Sequence, residues 1–308
     1  MIDLHCDTIM CLLDHPESGD LYSNSWKIDL QRLQQVKARV QDFALFIDLK
    51  DQDDSYGRYE AMLHLFQEQV ARYSNYVHQI LSYADIDKAY GAGKVGALLS
   101  VEEGGVFGGS IDKLEKAYAD GVRLITLTWN YQNELGEPNC GDPIKGLTAK
   151  GIEFVEVMES LGMIVDCSHL NDGGTAQLGD ILKKPFIASH SNARALTEHR
   201  RNLPDNLIQL IANKGGVIGL NFAQSFLGTS KISRIEDIVR HGLYIRNIGG
   251  DDVVALGTDF DGIRPNTEIE DISHMGRLFD AFLEAGLSQD SVEKIFWRNA
   301  DRVCKEIL

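Results

Sequence analysis

The sequence predicts a (β/α)8 barrel, and three observations carry that prediction. Eight short apolar runs rich in Val, Ile and Leu recur between amphipathic stretches, the signature of parallel strands buried on both faces. The alternation extends over about 260 residues, the usual span of such a barrel. No glycine-rich phosphate loop follows the first strand, which runs straight into HCDTIM, so the rival doubly wound sheet lacks its nucleotide-binding signature.

The elements follow in order. The first strand is expected at residues 2–5 and the second at 42–49, with the amphipathic stretch AMLHLFQEQVAR at 61–72 behind it. A third strand at 96–101 precedes a helix near 112–119, and a fourth strand lies at 123–128. Residues 131–148 (YQNELGEPNCGDPIKGLT) lack apolar periodicity and carry Gly, Pro and Asn, so they read as a long loop over the barrel mouth. A helix near 151–161 leads to strands five and six at 163–167 and 186–189. Helices near 205–213, 235–247 and 273–285 alternate with strands seven and eight at 217–221 and 253–258. The expected organisation is one barrel domain over residues 1–308, without internal repeats or a low-complexity linker.

Composition narrows the function. Against 30 Lys+Arg stand 46 Asp+Glu, a formal charge of −16, which disfavours nucleic acid and anionic membrane as partners. A chain with 44% hydrophobic and 25% charged residues is globular with a large core, not disordered or fibrous. The five cysteines (Cys6, Cys11, Cys140, Cys167, Cys304) are scattered and form no CxxC. That argues against a disulfide framework or a thiolate zinc site and for a reducing compartment. The stretch MIDLHCDTIMCLLDHPE puts acids where a signal peptide needs a basic region, and no segment offers 18 apolar residues. A soluble, cytoplasmic protein is expected.

The residues that close the apolar runs carry the chemistry. His5 and Asp7 follow the first strand at spacing i, i+2, so in extended backbone both side chains point to one face and can bind one ion. Cys6 between them faces the other way, as core. A lone HxD fits a satisfied hydrogen-bond pair equally well. Glu102 and Glu103 close the third strand; an acid after a buried run needs a partner or an ion, and Glu102 is the one directly following the apolar residues. His169 and His190 end strands five and six. Each alone reads more readily as structural, but together, one βα unit apart, they favour metal ligation. Asp259 and Asp261 close strand eight. Asp261, before Gly262, reads as a turn acid, which leaves Asp259 for chemistry. Arg201, in HRRNLPD after strand six, is rich in donors, and its neighbour Arg200 reads as the surface arginine. His15, His64, His78, His199, His241 and His274 read as structural or solvated.

A barrel brings all its C-terminal strand ends to one face, so imidazoles and carboxylates after strands one, three, five, six and eight converge. Nitrogen and oxygen donors without thiolates suit zinc, manganese, iron or cobalt, with zinc the default for imidazole-rich hydrolytic sites. Five candidate ligands exceed the three protein ligands of one catalytic zinc, and two ions sharing a bridging carboxylate use them better.

These residues resemble the membrane dipeptidase family, also called renal dipeptidases, of binuclear zinc metallopeptidases on an amidohydrolase-like barrel. The likeness runs through DLHCDT, SVEEGG, GVRLITLTWN, GMIVDCSH, IASHSNARAL, HRRNLPD and GTDFDG. It implies that His5 and Asp7 bind one zinc, His169 and His190 the other, and that Glu102 bridges them. It further implies that Arg201 receives a substrate's terminal carboxylate and that Asp259 handles protons. Where animal members carry a histidine that polarises the scissile carbonyl, ITLTWN places Trp129. The implied activity is hydrolysis of dipeptides, a D-residue at the C-terminal position being one option, with a homodimer as the implied assembly. The same site could instead serve another amide, such as an N-acyl amino acid or a β-lactam. A metal-stabilised binding barrel without turnover is the reading from a different class.

Overall fold

Parallel pairing links neighbouring strands around a ring in the computed structural model, which describes residues 1–50, 54–264 and 266–308. The strands are β1 (Ile2–Asp3), β2 (Val40–Phe46), β3 (Val77–Gln79), β4 (Val95–Glu102), β5 (Leu124–Thr126), β6 (Ile164–Asp166), β7 (Ile218–Leu220) and β8 (Val254–Leu256). Their order is β6-β5-β4-β2-β1-β8-β7, with β3 beside the first residues of β4. Parallel bridges Asp166↔Ile187 and Ala188↔Ile218 set the segment around residues 187–188 between β6 and β7, completing the ring. The (β/α)8 barrel expected from the apolar rhythm is the observed fold.

The differences are local. The expected sixth strand, 186–189, makes only isolated bridges, because Ser189 turns its backbone N–H to the Asp166 carboxylate instead of the ladder. The short strand β3 was not expected; VHQ is too brief and too polar to stand out as an apolar run. Helices at Thr8–Asp14, Leu30–Gln35, Tyr83–Gly91, Asp172–Ile181 and Asn299–Ile307 add to those read from the sequence. The helix expected from residue 61 starts earlier, at Ser55, capped by the Asp54 carboxylate that accepts from Gly57 N–H.

Strand alternation stacks the barrel interior in layers. Leu98, Leu124, Ile164, Ile187, Val217 and Ala255 form one apolar cluster with Ala300, Val303, Cys304 and Ile307 of the last helix. Two residues beyond Leu98, Leu124, Ile164 and Ile187 the interior becomes polar, with Ser100, Thr126, Asp166 and Ser189. Ser100 Oγ donates to Asp42 Oδ2 at 2.7 Å, and Thr126 Oγ1 donates to Asp166 Oδ2 at 2.6 Å. One step beyond, Glu102 points into the barrel mouth. The opposite faces, Phe43, Leu45, Leu99, Val101, Ile125 and Val165 among them, pack in the larger core shared with the surrounding helices. Apolar below, polar above: the sequence places its titratable groups at the end of the barrel where loops can reach them. Among the described residues no helix is long and apolar enough to cross a membrane.

Candidate active site

Local backbone geometry aims the site residues. The ends of β1 and β8 are knitted together: Asp259 N–H donates to His5 O at 3.2 Å and Asp7 N–H to Phe260 O at 3.1 Å, which sets His5 and Asp7 beside Asp259. His169, Asp259 and Asp261 all adopt left-handed φ, at 66°, 59° and 71°. Such conformations cost of order 1–3 kcal/mol each for residues other than glycine, and their clustering here marks backbone bent to aim side chains. Asp261 holds this turn in place, accepting from Thr8 Oγ1 at 2.7 Å and from Lys27 N–H at 2.8 Å.

Glu102 is the centre of the arrangement. Its Oε2 lies 3.2 Å from His5 Nε2, while its Oε1 lies 3.0 Å from His169 Nε2 and 3.5 Å from His190 Nε2. His5 Nε2 is also 3.5 Å from Asp7 Oδ2. The His5 and His190 rings stack with centroids 4.0 Å apart. Glu103 faces away: its carboxylate accepts from the N–H groups of Gly105 and Trp129 and from Asn133, tying down the loop after β5. Burial pushes its pKa up to about 7. Of the two adjacent glutamates, therefore, Glu102 enters the site and Glu103 fixes the wall. Cys6 points into the core as expected, its thiol donating to Asp42 O.

The electrostatics are those of a cation site. Burial lowers the proton affinity of His169, helped by the nearby Arg201, to a pKa of about 4. Burial, then His5 and Arg201, hold His190 well below its usual value. Burial opposes ionisation of Glu102, but His5 and the other imidazoles hold its carboxyl well below the usual range. For His5 burial again lowers proton affinity, yet the Glu102 and Asp7 carboxylates raise it well above normal. Burial lifts Asp259 to about 7. Four buried atoms here have no hydrogen-bond partner: His5 Nδ1 and Nε2, Asp7 Oδ1 and Glu102 Oε1. Such orphans are costly unless something else satisfies them. Ligand atoms of His5, Glu102 and His190, and of His5, Asp7 and Asp259, fall within 4.8 Å of one another. The donor set fits divalent metal on both geometry and chemistry.

A cavity of about 410 Å³ opens over this cluster. Arg201 and Phe226 line one side, the guanidinium carbon 5.6 Å from the ring centroid. Arg201 is 6% exposed, donates to His190 O at 3.2 Å, and keeps a buried Nε without a partner. Trp129 also lines the cavity, edge-on to Phe46 at 4.9 Å and 6.1 Å from the His169 ring. Arg58, paired with Asp14 at 2.7 Å, stands further out with Asp48.

The chain's likeness to known proteins agrees with this geometry. The family model for membrane dipeptidases, peptidase family M19, matches residues 1–308. The chain belongs to the membrane dipeptidase family. It is similar to a Klebsiella pneumoniae protein encoded in the pqqA 5' region, 34% identical over 80% of this chain and 94% of that one. A Schizosaccharomyces pombe protein named as a dipeptidase is 32% identical, over 90% of this chain and 71% of the relative. The solved structure of a Rhodobacter sphaeroides metallopeptidase, liganded with a phosphinate mimic of the dipeptide L-Ala-D-Ala, superposes with a TM-score of 0.92 at 23% identity, covering 100% and 99% of the two chains. The protein is a metal-dependent dipeptidase of this family.

All eight residues singled out in the sequence meet at this one cavity: Asp7, Glu102, Trp129, His169, His190, Arg201 and Asp259 line it, and His5 lies directly beneath. Three contributors went unread. Asn221 donates to Asp259 Oδ2 at 2.8 Å, Asn130 Oδ1 meets His169 Nδ1 at 3.2 Å, and Gly262 lies against the Asp7 carboxylate. Asn221 had a usable signal, since it ends the seventh apolar run as His5 and Glu102 end theirs. Of the remaining histidines, His241 and His199 are structural: His241 is wholly buried between two loops, and His199 accepts from Arg201 N–H while packing on Phe226.

Proposed function

We propose that this protein hydrolyses dipeptides with two zinc ions per chain, His5 and Asp7 holding one, His169 and His190 the other, and Glu102 bridging both. The observation that carries the reading is the split of Glu102, one oxygen toward His5 and the other toward His169 and His190. When bound, such a pair of ions lowers the pKa of a water to about 7 and polarises the scissile carbonyl.

The chain's own residues do the rest. Arg201, which lines the cavity, binds the free C-terminal carboxylate through a bidentate charge-assisted bond. That anchor favours short peptides with a free end. Asp259, set beside His5 and Asp7, accepts the proton of the attacking water and delivers it to the leaving amine. Asn221 holds one Asp259 oxygen, leaving the other for proton transfer. Trp129 and Phe226 supply apolar wall to the cavity, orienting the peptide and excluding water. With tryptophan where a carbonyl-polarising histidine would stand, carbonyl polarisation would fall to the metal or to another group of the site. The relative bound to an L-Ala-D-Ala mimic supports including L,D-dipeptides among the substrates. The five free cysteines fit a cytoplasmic setting.

The deciding experiment is elemental analysis of protein purified without added metal, followed by an assay of L,L- and L,D-dipeptides before and after chelation and zinc return. About two zincs per chain, with cleavage lost on chelation and restored by zinc, is the expected result. Cleavage at full rate in metal-free protein would overturn it.

A further inference from the structure

Below the cavity floor, Asp166 ends β6 and is wholly buried. Its Oδ1 accepts from the backbone N–H groups of Ser168 at 2.9 Å and Ser189 at 2.8 Å. Its Oδ2 accepts from the hydroxyls of Thr126 and Ser189, both at 2.6 Å. Four donors converge on one carboxylate, and two of them, a backbone N–H and a hydroxyl, belong to Ser189, the residue preceding His190.

The Ser189 hydroxyl has a single proton and two lone pairs. With the proton directed to Asp166, the oxygen can only accept from its other neighbours. Those are His190 Nδ1 at 2.7 Å and Ser168 Oγ at 3.2 Å. The His190 contact then requires a proton on Nδ1. The neutral ring carries one N–H, so its Nε2 keeps a bare lone pair, and Nε2 is the atom turned toward Glu102. Ser168 also holds the backbone of this residue, its Oγ accepting from His190 N–H at 3.1 Å. His169 Nδ1 meets the Asn130 amide oxygen at 3.2 Å, which also calls for a proton on Nδ1 but through one longer bond with no carboxylate behind it, and among the described residues both ring nitrogens of His5 lack a hydrogen bond.

We propose that Asp166 and Ser189 are positioning residues that lock His190 in its Nδ1–H tautomer and so present Nε2 as a ready-made metal donor. The inference rests on His190 being a metal ligand, as in the proposed function. It makes the His190 side of the site the pre-organised half, while His5 depends on the ion itself for its orientation. Outer partners of ligating histidines typically govern metal affinity by about 10–100-fold.

The test uses the full chain as wild type, Ser189→Ala and Ser189→Thr, with zinc affinity read by chelator competition and not by peptide cleavage. Nitrogen-15 spectra of the histidine rings, recorded before and after zinc removal, report where the His190 proton resides. The expected result is an Nδ1–H tautomer in wild type with and without zinc, and roughly 10–100-fold weaker zinc binding at one site in Ser189→Ala. Ser189→Thr, which keeps the hydroxyl, recovers most of that affinity. Unchanged affinity in Ser189→Ala would overturn the proposal while leaving the dipeptidase reading intact. A wild-type chain that takes up no zinc would overturn both. Should the alanine variant fail to fold, an Nε2–H tautomer in the zinc-free wild type is by itself sufficient to reject the proposal.

Discussion

Gly262 and Asp7 touch so closely that no side chain fits between them: a Cβ on Gly262 would lie 2.0 Å from Asp7 Oδ2 and 2.7 Å from Asp259 Oδ1. The glycine is exposed, so the constraint comes from the site and not from the core. Gly262→Ala must push both carboxylates out of place. We expect kcat/KM for dipeptides to fall by at least about 100-fold, in keeping with roughly ångström misplacement of reacting groups. Thermal stability should move by less than about 1 kcal/mol, as for most surface substitutions. Parallel assays and melting curves check this; retained activity would show that Asp7 needs no fixed position.

Arg201 lies under Phe226 with its guanidinium facing the cavity. If it receives the substrate carboxylate, Arg201→Ala lowers kcat/KM by about 10–100-fold or more, as expected for loss of a charge-assisted bond worth roughly 1.5–3 kcal/mol. The loss should vanish for dipeptide amides, which lack the carboxylate. Arg201→Lys should recover little, because a single ammonium cannot reproduce the planar fork. An equal loss on amides and free acids would assign Arg201 to support of the fold.

How much of this was legible in the sequence follows from what each residue must satisfy. His5, Asp7, Glu102, His169, His190 and Asp259 end apolar runs, where a polar group contradicts its surroundings, and the barrel makes those ends converge. Glu102 and Glu103 could not be separated by the pattern alone. Only the hydrogen bonds of Glu103 to Gly105, Trp129 and Asn133 show which one turns away. Gly262 and Asn130 sit in loops, whose contacts depend on tertiary packing and leave no periodic trace. Asp166 and Ser189 lie inside GMIVDCSH and IASHSNARAL with no feature that sets them apart. Their bond joins residues 23 positions apart, and nothing local announces it. The expected strand at 186–189 makes isolated bridges and no full ladder: its apolar run is real, while the diversion of Ser189 N–H to Asp166 leaves no trace in the local sequence.

Asn221 is the partner of Asp259 at 2.8 Å, and its own Oδ1 is held by Ala223 N–H at 2.6 Å. Replacing it with alanine frees the Asp259 carboxyl to rotate, and the contact of Asn221 with the proposed ligand His190 is a long 3.5 Å bond to the backbone carbonyl and not to the ring. Asn221→Ala should therefore lower kcat by about 10–100-fold, the size of a general acid–base contribution partly lost. Zinc content should be unchanged. Elemental analysis alongside steady-state kinetics separates this from a metal defect; loss of zinc in step with activity would make Asn221 a support of the metal cluster instead.

Trp129 should govern substrate choice more than rate. Its ring lines the cavity and rests edge-on against Phe46, while its backbone N–H group is held by Glu103 at 2.8 Å. Trp129→Ala enlarges the cavity but keeps the backbone anchor. We expect KM for dipeptides with small side chains to rise while kcat changes by less than about 10-fold, because uniform binding is lost and not transition-state stabilisation. Dipeptides with large aromatic side chains should gain relative to small ones. A kcat loss approaching that of a missing oxyanion donor, about 100–1,000-fold, would instead give the indole N–H a part in polarising the carbonyl.

His241 ties two loops of the barrel mouth to the helix Ile235–Gly249. Its Nδ1 accepts from Ala193 N–H at 3.1 Å and its Nε2 bonds Leu227 O at 3.1 Å, so the ring must be neutral with its proton on Nε2. Burial, only partly offset by the Leu227 carbonyl, lowers its pKa from 6.5 to about 4. The unfolded chain therefore binds a proton at this ring below about pH 6.5 that the folded chain refuses until about pH 4. Stability from this residue is complete above that window and declines as pH falls through it, by about 3 kcal/mol at most. Denaturant unfolding of wild type and His241→Gln between pH 7.5 and pH 4 isolates the contribution from the carboxyls that titrate in the same range. The variant should start less stable, since glutamine cannot reach both partners at once, and the gap should close as the pH drops. A gap that stays constant would mean that His241 binds its proton in the folded protein as readily as in the unfolded one.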